Sequence, residues 1–259
     1  YSDDPDWVGY YGSLSCAYGN HPAAWEIAGD YSLLETIDMG LLKSWHQTFY
    51  RPSNATLFVS GDFEVRSLQE ACETALVEYV SSSSYFGGID LGFLSEWPPC
   101  DQTRSGSVQF ELPIRNTKLF ITFPDFLPTM QKRDVRRELS FELSLDMALG
   151  LTSDAYVALY EEGLVAADSF LADVFMESTC GFLLISAETS DPERLKCETI
   201  RALSNSMDGA VFCGDFERAK KKMYGQLVRS FETPESCVNI MDAARQLGAS
   251  SPFDYVEAL

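Results

Sequence analysis

Histidine is the scarcest chemically versatile residue in this chain. The 259 residues contain 2 histidines, His21 and His46, so no pair stands at the spacing by which one helix face grips zinc. Neither H-x-x-E-H nor H-E-x-x-H occurs. Positive charge is also short. Lys and Arg number 19 against 39 Asp and Glu, for a net charge of −20 at pH 7. A phosphate backbone would be repelled by such a surface, which excludes nucleic acid as a partner. Long apolar runs are missing too. None approaches the roughly 18 residues of a membrane helix, so no membrane partner is expected. The chain has no G-x-S-x-G, no phosphate-cradling P-loop and no G-x-G-x-x-G. Its 7 cysteines (Cys16, Cys72, Cys100, Cys180, Cys197, Cys213, Cys237) form no C-x-x-C pair. An odd, unpatterned set points to a reducing compartment, hence a cytoplasmic location.

What is present is globular. The composition is 46% hydrophobic and 13% aromatic, enough for a substantial core. The most informative stretch runs from His21 to Asp62. It opens with a loop carrying His21-Pro22 and Gly29. Asp38 is placed to cap a helix, its carboxylate accepting from free first-turn amides. Leu41, Leu42, Trp45 and Phe49 then recur at three- and four-residue steps, one apolar face. Arg51-Pro52-Ser53-Asn54 ends the helix, because proline cannot continue it. Residues 55–60 read as a buried strand closed by Gly61-Asp62.

In order and wording this stretch resembles the pitrilysin/insulinase family of zinc peptidases, in its bacterial subgroup. The family carries a loop like "NHP…AG" and a helix ending in "FYRPSNATLFVSGD". His21, Pro22, Gly29, Arg51, Pro52, Asn54, Gly61 and Asp62 match those motifs and take a structural role by the resemblance. The resemblance implies an α+β fold with largely antiparallel sheets packed with helices. It also implies a metal site built on H-x-x-E-H, which would lie before Tyr1. Zinc is therefore expected only in a missing N-terminal part of the parent, and no cofactor in this chain. Tyr1 is not an initiator Met, which fits a cut piece. Active relatives grip substrate with an arginine and a tyrosine. Arg194 follows GFLLISAETSDPE, but no tyrosine accompanies it, so no catalytic or substrate-binding residue is carried over. His21 and His46 read as hydrogen-bonded or packed histidines rather than ligands.

Elsewhere the chain divides by pattern. Residues 1–80 read as the latter half of a first family-like domain, with a helix early in 1–30 and another at 64–80 striped by Leu68, Cys72, Ala75, Leu76 and Tyr79. Residues 81–106, rich in Ser, Gly and Pro, read as an interdomain linker. Residues 107–259 read as a second such domain, clipped at its C-terminus. It begins with a half-wet strand at 107–112, a buried strand at 118–123 and a helix at 131–149. Lys132, Arg133, Arg136 and Arg137 at the start of that helix are expected to pair with Glu138 and Glu142 on a solvated face. A helix holding ALYEEGL, a strand pair at 169–176 and 181–188, and helices near 192–207, 214–230 and 235–247 follow. Pro192 occupies a first helical position behind Asp191.

The expected function is the non-catalytic portion of a zinc peptidase, contributing to the substrate chamber and to domain pairing. The alternative is a fragment of an inactive paralogue serving as a structural or partner-binding subunit. Expected partners are the missing N-terminal half or a metal-bearing subunit, peptide substrate, and a second copy in a homodimer.

Overall fold

The computed structural model describes residues 1–82, 106–125, 134–166, 168–176, 180–208 and 213–259. Most of the expected linker thus lies outside the described residues. By contacts the chain divides into two units, one of Tyr1–Trp25 with Pro99–Leu259, the other of Glu26–Pro98. The sequence reading grouped residues 1–80 together; the contacts instead group the first 25 with the later residues.

The first unit is organised on a three-stranded antiparallel sheet. Its strands are β1 (Thr117–Pro124), β2 (Leu171–Met176) and β3 (Gly181–Thr189), in the order β1-β3-β2. β3 is central because its run GFLLISA has little polar surface to show water. Ile185 pairs with Ile121 on one side and Ala172 on the other. Alternate residues face opposite ways. Phe182 and Leu184 join Leu14, Ala17 and Tyr18 of α1 (Pro5–Tyr18) on one face. Ile185, with Val174 and Met176 of β2, joins the opposite core.

α1 is started by Asp4, whose carboxylate accepts from the amides of Asp6 and Trp7. Tyr18 Oη donates to the Gly181 carbonyl at 2.6 Å inside the protein, and Ser13 bonds Thr122 at 2.7 Å. Gly9 permits this close docking. A Cβ there would fall 2.1 Å from Cε2 of Phe120.

The opposite face carries α4 (Val135–Leu149), with Val135, Leu139, Leu145, Ala148 and Leu149 buried. Asp134 caps it through the Arg137 amide. α5 (Asp154–Glu161) and α6 (Pro192–Asp208) follow. Asp191 Oδ1 accepts from the Arg194 amide, which fixes the start of α6 as the Asp-Pro pattern requires. α7 (Cys213–Arg229) buries Ala219, Met223 and Leu227. α8 (Pro234–Gln246) begins with a reciprocal Thr233–Ser236 capping box. α9 (Asp254–Ala258) is a short closing helix that the sequence reading missed, since five residues carry too little periodicity.

The second unit contains α2 (Met39–Phe49), α3 (Val65–Ser82) and three-residue or six-residue 3₁₀ turns. Asp38 caps α2 through the Leu41 amide at 2.7 Å, as expected. Its packing differs from expectation. Leu42, Trp45 and Phe49 are 47%, 47% and 41% exposed. Along α3, Leu68 and Cys72 are half-buried while Ala75, Leu76 and Tyr79 are exposed.

Two expected strands do not form among the described residues. Residues 55–60 join no ladder there, and a strand has no stability without one. Residues 107–112 show the alternation of a strand but likewise join no ladder among the described residues. They pass α1 instead, where Gly12 leaves room for Phe110.

Candidate functional site

The residues singled out from sequence are capping and turn devices in the structure. His21 accepts at Nδ1 from the Ala23 amide at 3.1 Å, and Pro22 takes the first position of the 3₁₀ turn that follows. That nitrogen is therefore engaged with backbone. Gly29 and Gly61 adopt φ of +76° and +147°, where a side chain would be strained. Arg51, Pro52 and Asn54 close α2 together. Arg51 Nε donates to the Gln47 carbonyl at 2.7 Å, and Asn54 Nδ2 donates to the Phe49 carbonyl at 3.0 Å. Pro52 starts the next turn. Helix ends leave carbonyls without amide partners, and these two side chains supply donors. Arg51 is the buried residue of its unit among the described residues. His46 stacks on Tyr50 with ring centroids 5.0 Å apart. Asp62 is exposed.

The chemically unusual place lies in the other unit, and sequence reasoning misjudged it. A cleft of about 340 Å³ runs between α4, β2 and α7. Leu145, Leu149, Val174 and Met223 supply apolar wall; Glu142, Asp146, Asp173 and Lys222 supply charge. Beside it Tyr255 of α9, 8% exposed, donates its hydroxyl to Glu138 Oε2 at 2.5 Å. Glu138 and Glu142 stand one turn apart on α4 and share a face.

Of their expected partners, Lys132 and Arg133 lie outside the described residues and Arg137 is engaged elsewhere. Arg137 Nε donates to Asp125 Oδ2 at 2.9 Å, and its guanidinium stacks 5.1 Å from the Phe141 ring centre. Lys222 pairs with Asp146, and Arg218 approaches the same carboxylate at 3.5 Å. Among the described residues no cation lies within 4 Å of Glu138, Glu142 or Asp173.

Electrostatics follows from that imbalance. Burial first, then the charges of Glu138 and Asp173, push the Glu142 carboxyl up to about 7. Burial also raises Glu138, against the lowering effect of the Tyr255 hydroxyl. Tyr255 is raised by burial and by its bond to Glu138. The signal available in sequence was the (i, i+4) carboxyl pair beside core leucines; Asp173 and Tyr255 come from distant positions that no local pattern connects.

Among the described residues no group of three His, Cys, Asp or Glu can hold a metal ion. The donors in hand do not fit zinc. His21 uses Nδ1 on backbone, and the carboxyl cluster brings no imidazole or thiolate.

Residues 36–223 match the family model described as the peptidase M16 inactive domain. The chain belongs to the peptidase M16 family. Against an uncharacterized zinc protease of Bacillus subtilis (strain 168), YmfH, the chain is 27% identical over 240 residues, 92% of its own length and 54% of that protein. Among solved structures, a chain described as an M16-like peptidase from Alicyclobacillus acidocaldarius superposes with a TM-score of 0.81 at 23% identity. That match covers 99% of this chain and 60% of the other. A protease from Helicobacter pylori gives a TM-score of 0.74 at 15% identity, over 99% and 64%. A chain of complex III2 from Candida albicans, Inz-5 bound, gives 0.68 at 15%, over 98% and 63%. At these identities the structural likeness speaks for the fold. It agrees with the expected α+β class, while the family model agrees with the expected family. The chain spans between a little over half and just under two thirds of the length of these relatives. No helix among the described residues is long and apolar enough to cross a membrane.

Proposed function

We propose that this chain is the non-catalytic portion of an M16 zinc peptidase, packing against a metal-bearing half and helping to wall the chamber that holds peptide substrate. The observation that carries this reading is the unburied apolar surface of residues 26–79. Ile27, Tyr31, Leu57 and Val77 are 87%, 87%, 71% and 68% exposed, and the α2 stripe is open beside them in sequence. A single exposed leucine needs no explanation, but large apolar side chains left exposed along a whole segment fit a surface that a partner covers. Family membership supports a half-domain partner as its cover.

In this reading zinc and the general base belong to that partner segment, and this chain contributes shape. The second reading, an inactive partner-binding paralogue, draws on the fold likeness to a chain of complex III2. The test is zinc content and peptide cleavage of the intact gene product that contains these residues. Stoichiometric zinc with cleavage, both lost when an upstream H-x-x-E-H is mutated, is the expected result. A full-length product without zinc or cleavage overturns the peptidase reading in favour of the second.

A further inference from the structure

We draw no further inference here: the strongest candidate, the cleft between α4, β2 and α7 that holds Glu142 and Asp173, offers a cluster of acidic side chains with no second feature among the described residues that points to a ligand.

Discussion

The two contact units carry the same helix grammar and reach different ends. α4 and α2 each start at an aspartate cap in extended backbone and each present a leucine-rich face. On α4 that face is sealed, with Leu149 at 0% exposure; on α2 Leu42 and Trp45 stay nearly half exposed. The cause lies in the partner, not in the helix. α4 lies on a sheet whose central strand is paired on both edges. Among the described residues the strand expected after α2 has no ladder, and Leu42, Trp45 and Phe49 stay exposed. Caps are local and need only a carboxylate and free amides; burial needs distant chain.

The largest effect that sharpens this comparison is a matched leucine truncation. Leu149→Ala removes a fully buried side chain and is expected to cost about 2–5 kcal/mol, the transfer loss plus the cavity. Leu57→Ala, at 71% exposure, is expected to cost less than about 0.5 kcal/mol in this chain. Urea midpoints measure both. If docking to a metal-bearing half covers the Glu26–Pro98 unit, Leu57→Ala should instead weaken that association. Equal costs in the isolated chain would erase the contrast between the units.

A smaller effect comes from Glu142, and its sign is unusual for a carboxylate. Its folded value lies above the unfolded one, so the group does not add stability on ionising. Below pH 4.5 it is protonated in both states and neutral to stability. Between about 4.5 and 7 the unfolded chain has released a proton that the folded chain still holds, so stability falls as pH rises. Glu142→Gln is therefore expected to leave stability little changed near pH 4.5 and to raise it near pH 8 by about 1–3 kcal/mol. Paired urea titrations at the two pH values read it. A destabilised variant at pH 8 would show that the ionised carboxylate is held by a cation after all.

How much of this was legible beforehand divides along the same line. Asp38, Asp191-Pro192 and the Arg51-Pro52-Ser53-Asn54 stop were readable because each acts within five residues of itself. β1, β2 and β3 were readable because each is rich in apolar and β-branched or aromatic residues. Residues 55–60 and 107–112 carried similar signals and formed no strand, since propensity cannot supply a neighbour. The carboxyl cluster was misread for the same reason. Glu138 and Glu142 look like solvent-facing partners of Arg136 and Arg137 until Asp125 claims Arg137 and Tyr255 arrives from 117 residues away.

The smallest effect tests whether caps are equal where burial is not. Asp38→Ala on α2 and Thr233→Ala on α8 each remove one side-chain acceptor from a helix start, a loss of about 1 kcal/mol. α8 buries Ile240 and Ala244 in the main core, so its loss should appear in full as a lower urea midpoint for the first unit. α2 buries no residue, so its loss should appear locally, as about five-fold weaker amide protection near Leu41 and Leu42 with that midpoint unmoved. The two readouts are independent of each other. A midpoint shift of the same size from Asp38→Ala would mean that α2 folds with the sheet-bearing unit as one cooperative body, and its open apolar face would then need another explanation than an absent partner.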